Sequence, residues 1–263
     1  MKAQQTFSAE MNLKTEPTEK IDFNETNATL SFHKKISTKN AITNTLEYTN
    51  LKVNYELGSF KTFESLDNFN RIQNKFEFAH EFSNTTKLNF VITPTANFQQ
   101  KFDPSDLSVL GSLEISKQFN SKTSINIGFA RSTIFGYPKF IPTLSLNYKV
   151  NDQSALLIGF PDSKFTYSNN IRNTFNLTNS FNGSFYNLDH SLNQTDNASK
   201  ISMSQITSAF EYERNVDQKW FINLKAGYDF NKKYNLIDND NHKVYDFNIG
   251  NGYILGIGIK YKQ

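Results

Sequence analysis

The sequence predicts an all-β chain: a single antiparallel up-and-down transmembrane β-barrel of 12–14 strands, with short turns at one rim and longer loops at the other. Three observations predict it. Apolar and polar residues alternate with period two over segments of about 9 to 14 residues, as in strands with two unlike faces. The polar connections between those segments alternate between short and long along most of the chain. Apolar runs stay short, such as Ala155 to Ile158, whereas a membrane-spanning helix needs about 20 mostly apolar residues. The mean hydropathy of −0.56 does not argue against a barrel, because alternation averages its apolar residues away.

The C-terminal segment shows the alternation best. Tyr253, Leu255, Ile257, Ile259 and Tyr261 fall on one face, and Gly252, Ile254, Gly256, Gly258, Lys260 and Lys262 on the other. The first face suits lipid, with tyrosines at the membrane–water boundary. Trp220, Ile222, Leu224, Ala226, Tyr228 and Phe230 likewise oppose Lys219, Asn223, Lys225, Gly227 and Asp229. The same sorting recurs around Leu144, Leu107, Ile125 and Phe76. A helix would scatter these residues around its surface.

In chain order the strands are expected near 5–13, 27–36, 41–56, 73–82, 86–97, 106–119, 123–132, 141–150, 155–160, 164–169, 173–187, 201–214, 219–231 and 250–262. The segments 155–160 and 164–169 are short, and the count falls to twelve without them. Apolar residues in 41–56 change phase, from Ile42, Leu46 and Tyr48 to Leu51, Val53 and Tyr55, which predicts a bulge near Thr49 and Asn50. Short connections fall at 37–40, 83–86, 120–123, 151–154 and 215–218. Long ones are expected at 14–26, 57–72, 97–106, 132–141, 188–200 and 231–250. In outer-membrane barrels the short turns are periplasmic and the long loops extracellular.

The 263 residues carry a net charge of +3, from 28 basic and 25 acidic residues. No run of Lys and Arg would track phosphates, so nucleic acid is excluded as a partner. With no cysteine, disulfide frameworks and thiolate metal sites are excluded too. Length allows one domain across 1–263. Met1-Lys2-Ala3-Gln4-Gln5 reads as a mature terminus in which residues 1–4 are a signal-peptide remnant, which implies export across the inner membrane. A soluble β-sandwich also alternates and is the competing fold. Phe and Tyr on almost every apolar face, 25 and 12 in all, exceed what one such core could use.

The run Phe135-Gly136-Tyr137-Pro138-Lys139-Phe140-Ile141-Pro142, the strand Leu144–Val150, then Gly159-Phe160-Pro161-Asp162-Ser163-Lys164 and Tyr167 resemble an uncharacterised family of Gram-negative outer-membrane β-barrel proteins. The resemblance implies a porin-like barrel fold and an outer-membrane location, and carries over no catalytic residue. The residues themselves read as backbone devices: prolines that cannot donate to a ladder, glycines that reach unusual dihedrals, and a tight turn at Pro161-Asp162-Ser163.

Chemistry-bearing groups are sparse. Asp189-His190-Ser191 holds the residue types of a hydrolytic triad, but sequence neighbours cannot form that relay, and it reads as an exposed loop. His80 lies among Phe76, Phe78 and Phe82 toward a strand end. Asp238-Asn239-Asp240-Asn241 and Asp246 offer oxygen ligands of the kind calcium takes, without the Gly and Glu of the full loop pattern. No glycine-rich phosphate loop occurs, so neither cofactor, metal nor catalytic residue is assigned. The most informative set is the expected lumen lining: Glu10, Glu47, Glu77, Glu114, Glu211 and Glu213 with Lys149, Lys225, Asp229 and Lys260. These groups either pair across and fill a narrow barrel or line a polar pathway. Partners are then outer-membrane lipid and a small polar solute or ion. The reading is a channel or transporter. The alternative is a non-conducting structural or interaction barrel, with a lipid-modifying enzyme ranked below both.

Overall fold

A strand away from water must pair on both edges, and a sheet does so throughout only by closing on itself. The computed structural model describes residues 5–55, 60, 63, 65–192 and 198–263, with the side chains of Gln5 and of residues 190–192 left aside. The expected remnant 1–4 lies outside those residues.

The strands are β1 (Gln5–Pro17), β2 (Ile21–Lys35), β3 (Asn40–Tyr55), β4 (Asn68–Ser83), β5 (Thr86–Phe98), β6 (Leu107–Gln118), β7 (Thr123–Ser132) and β8 (Lys139–Lys149), followed by β9 (Ser154–Phe160), β10 (Asp162–Ser168), β11 (Asn173–Leu192), β12 (Ala198–Asp217), β13 (Trp220–Ile237), β14 (Lys243–Asp246) and β15 (Gly252–Lys262). Each pairs antiparallel with its neighbours, and β15 pairs with both β13 and β1, closing a ring of fourteen. The four-residue β14 lies outside the ring sequence and continues the β13 edge above β15. The short segments 155–160 and 164–169 do form strands, β9 and β10.

Six short hairpins, from β2–β3 to β12–β13, share one rim with both chain ends. Turn chemistry explains their tightness. The side chains of Ser37, Asn120, Asn151 and Asn170 each accept a hydrogen bond from the backbone N–H two residues on, the geometry that makes Ser and Asn turn formers.

Toward the other rim the wall has two heights. Pairing of β11 with β10 ends at Asp162↔Ser180, yet β11 runs on to Leu192. Its Asn187 pairs in parallel with Phe98 of β5, and Asn187 Nδ2 donates to Asp106 Oδ1 at 2.9 Å. Above β6–β10, therefore, β5 and β11 join directly. The β7–β8 connection fills the step: Thr133 Oγ1 donates to the Gly183 carbonyl at 2.8 Å, and Ile134 is buried. A Cβ on Gly183 would lie 2.3 Å from the Thr133 carbonyl oxygen, so only glycine permits that approach.

The narrowed upper tier reverses the usual polarity of a barrel interior. Phe23, Leu51, Val53, Phe69, Tyr186, Ile201, Tyr234 and Leu236 point inward from six strands, joined by Phe60, Phe63, Leu66, Phe247 and Ile249 from connections. This corrects several sequence expectations. Segments 14–26 and 231–250, and the described residues of 188–200, are largely strand, because their apolar residues serve the inside rather than lipid. For the same reason β3 has no bulge near Thr49 and Asn50. Its register with β2 is unbroken from Ile21↔Tyr55 to Lys35↔Ala41, and Leu51 and Val53 keep the inward phase of Glu47. The bulge lies in β13. Between Ser204↔Lys233 and Ile206↔Phe230, β12 advances two residues and β13 three. Asn231, at φ 50°, takes the left-handed conformation that asparagine tolerates. The slip turns Lys232, Tyr234 and Leu236 inward on the same side as Asp229.

Candidate functional site

The apolar plug is centred on Phe247, whose ring lies 4.5 Å from Tyr234, 5.0 Å from Phe63 and 5.7 Å from Phe60. The Tyr55 and Tyr234 hydroxyls meet at 2.8 Å, and Tyr55 is also 3.0 Å from the Leu66 carbonyl. The polar tips of these buried rings are thus satisfied within the plug, as buried tyrosines require.

Directly beneath lies a charged floor. Lys232, placed by the β13 bulge, donates to Glu16 and, at 3.1 Å, to Asp229. The three side chains expose 0%, 3% and 0% of their surface, respectively. Thr207 Oγ1 donates to Asp229 at 2.7 Å and Gln205 to Glu16 at 3.3 Å. The Lys232 ammonium also lies 4.9 Å from the Phe23 ring centre, a cation–π approach. Lys14 links the floor to the space below, pairing with Glu16 at 2.9 Å and Glu25 at 3.2 Å. Buried charges are tolerated only when paired and hydrogen-bonded, and each member of this group is.

Below the floor are a cavity of about 250 Å³ bounded by Lys14, Glu25, Arg71, Gln205 and Thr207 and a wider one of about 660 Å³ reaching toward the short-turn rim. Of the residues picked out from the sequence, Glu10, Glu47, Glu211, Glu213, Lys225 and Lys260 border the wider cavity. They sit in pairs: Arg71–Glu47 at 3.1 Å, Lys225–Glu211 at 3.1 Å and Lys260–Glu213 at 3.0 Å. Glu10 accepts from Asn12 and Asn223. Asp229 lies in the floor instead. Glu77 pairs with Lys75 on its own strand at 2.5 Å. Glu114 lies half-buried on β6 against Gly128, where any side chain would collide with it. Lys149 sits at the short-turn rim, paired with Asp152 of the adjoining turn at 2.6 Å.

Sequence reasoning missed Lys14, Glu16, Glu25, Arg71 and Lys232. All five fall in segments read as loops. The usable signal was a charge at every second position through Lys14, Glu16 and, across the hairpin, Glu25, interleaved with Thr15 and Asn24.

The remaining chemistry-bearing groups lie elsewhere. Asp189 is half-buried in β11 rather than in an exposed loop, and accepts from the backbone N–H of Gln100 and Lys101. His190 and Ser191 have side chains outside the described set. Asp238, Asp240 and His242 bring ligand atoms within 4.8 Å of one another at the surface. The Asp238 carboxylate already accepts from the backbone N–H of His242 at 2.8 Å and Asp240 at 2.9 Å. Those donors, His242 first, hold its pKa below the ordinary carboxylate value of 3.8. Outside the wall, apolar side chains dominate: Leu13, Phe90, Ile127, Leu224 and Ile257 are among the many that face outward exposed.

A family described as a domain of unknown function, DUF6268, matches residues 3–262. No curated protein matches the chain. Among solved structures, the fold is similar to NanC porin, at 10% identity and TM-score 0.48 over 97% of this chain and 100% of that one. It is similar also to an outer-membrane channel from Pseudomonas putida F1, at 9% identity and TM-score 0.48 over 98% and 95%. A third similar structure is KdgM porin, at 7% identity and TM-score 0.41 over 96% and 98%. At such identities the likeness concerns fold alone.

Proposed function

We propose that the chain, which belongs to the DUF6268 family, spans the bacterial outer membrane as a barrel sealed toward its long-loop, extracellular rim and open as a charged vestibule toward the periplasm. In this conformation it does not conduct. The apolar outer wall supports the membrane location, since exposed apolar bands of that extent are stable only against lipid or a partner. The single observation that carries the sealed reading is the plug. Phe23, Phe69, Tyr186, Tyr234, Phe247 and Ile249 each expose 1% or less of their surface, and they come from β2, β4, β11, β13 and the connection after β14. In the vestibule, Glu10, Glu47, Glu211, Glu213, Lys225 and Lys260 are the groups that would meet a small polar solute or ion.

A channel that opens is the second reading, and one observation favours it. Phe60, Phe63, Leu66, Phe247 and Ile249 belong to connections, not to the ring of fourteen, so they can withdraw without opening that ring, at the cost of the Phe247 backbone hydrogen bond to Tyr234.

Planar-bilayer conductance separates the readings. The refolded wild-type chain is expected to be silent, and the triple variant Phe60→Ser, Phe63→Ser, Phe247→Ser to give stable single-channel steps. Steady conductance from the wild type would sink the sealed reading. A folded triple variant that stays silent would remove the plug as the seal. Voltage-dependent opening of the wild type would establish the second reading.

A further inference from the structure

The six short hairpins repeat more than their turn chemistry. In each, an outward residue near the turn carries a hydrogen-bond donor: Lys34, Lys117, Tyr148 and Tyr167 in the second ladder pair from it, and His80 and Arg214 in the third, where those two hairpins slip in register. No carboxylate occupies any of the six positions. Across the hairpin each faces an apolar residue, Ile42 opposite Lys34, Ile125 opposite Lys117 and Ile222 opposite Arg214.

The three cations lack an electrostatic reason within the protein. Along the outer face Lys34 lies between Phe32 and Ile36, Lys117 between Ile115 and Phe119, and Arg214 between Tyr212 and Val216. Among the described residues, Lys34 and Arg214 have no side-chain partner, and Lys117 donates only to the hydroxyls of Thr85 and Thr86. A cation whose stem lies on apolar surface extends its head to the nearest polar layer. On a lipid-facing wall that layer is the headgroups, and cations there gain about 1 kcal/mol each from anionic lipid.

We propose that this belt binds the phosphates of anionic phospholipid headgroups in the inner leaflet, with Lys34, Lys117 and Arg214 as the charged contacts and the His and Tyr positions as neutral donors. The proposal rests on the membrane-spanning reading above.

The chain carries its own probe, because its one tryptophan, Trp220, lies in the hairpin of Arg214 and is half-exposed. The full chain is refolded in phosphatidylcholine vesicles containing phosphatidylglycerol, with either lipid brominated so that it quenches Trp220 on contact. Brominated phosphatidylglycerol is expected to quench more strongly at equal mole fraction. Arg214→Gln should cut that preference about fivefold, the factor equivalent to 1 kcal/mol per charge, and Arg214→Lys should keep it. Equal quenching by both lipids in the wild type, or an unchanged preference in Arg214→Gln, overturns the proposal. Loss of the preference when inorganic phosphate is added at constant ionic strength overturns the lipid as the source of the phosphate. No quenching by either lipid is a different failure, that of the membrane-spanning reading itself.

Discussion

Lys232 is the residue on which the plug's floor depends, and the cost of removing it can be worked from its surroundings. In Lys232→Met the stem survives and the ammonium is lost. Glu16 keeps Lys14 at 2.9 Å and Gln205 at 3.3 Å. Asp229 keeps only the Thr207 hydroxyl, with none of its side chain exposed. The variant therefore strands one buried carboxylate, a loss that typically amounts to about 3–5 kcal/mol. Adding Asp229→Asn removes the stranded charge, and the double variant should recover most of that stability. Urea titration of the refolded chain, followed by Trp220 fluorescence, measures both. A loss under about 1 kcal/mol, the size of an exposed pair, would refute the buried-network argument. So would a double variant no more stable than the single one.

Other perturbations follow from the same geometry. Asn231→Val, a β-branched residue in the left-handed region, should destabilise by roughly 1–2 kcal/mol, whereas Asn231→Gly should stay near wild type in the same titration. Gly183→Ala places a methyl against the Thr133 carbonyl and should release the 133–138 connection, read as new proteolytic cleavage there; an uncut variant would count against the packed step. For Asp238 the lowered pKa fixes the sign of the pH effect. Its turn is fully stabilised above 3.8 and loses that stability as pH falls through the lowered value. The amide signals of Asp240 and His242 should move together in an NMR titration with a midpoint below 3.8, and should not move so in Asp238→Ala.

The sequence made the lower barrel legible because there the rule is simple: apolar out, polar in. Leu255, Ile257 and Ile259 against Gly256, Gly258 and Lys260 need no tertiary knowledge to sort. The upper tier was illegible for a physical reason. Once β5 and β11 meet, the interior is narrow enough to be filled by rings, and Ile21, Phe23, Leu51 and Val53 turn inward. A rule calibrated on lipid contact then reads them as loop or as a register slip. The ion partners were hidden with them: Lys232 reaches Asp229 only through a bulge at an asparagine, and Glu16 only because β1 runs past the expected strand end. Spacing carries no record of either event.

On the membrane-spanning reading, the step in the wall bears on the bilayer as well as on the lumen. β9 and β10 have seven residues each, about 23 Å of strand at ~3.3 Å per residue. Inclined at about 40°, as strands of such barrels are, they rise only about 18 Å, against an apolar band about 25 Å tall. The acyl chains beside this hairpin must shorten, or Phe135 and Phe140, both exposed on the flanking connection and strand, must stand in for the missing wall. Mismatch of this kind costs fractions of a kcal/mol per Å. It is confined to one side, so the protein imposes a directional dimple on the membrane rather than a uniform collar. Neighbouring proteins in the plane of the membrane would therefore meet it face-on or edge-on with unequal energy.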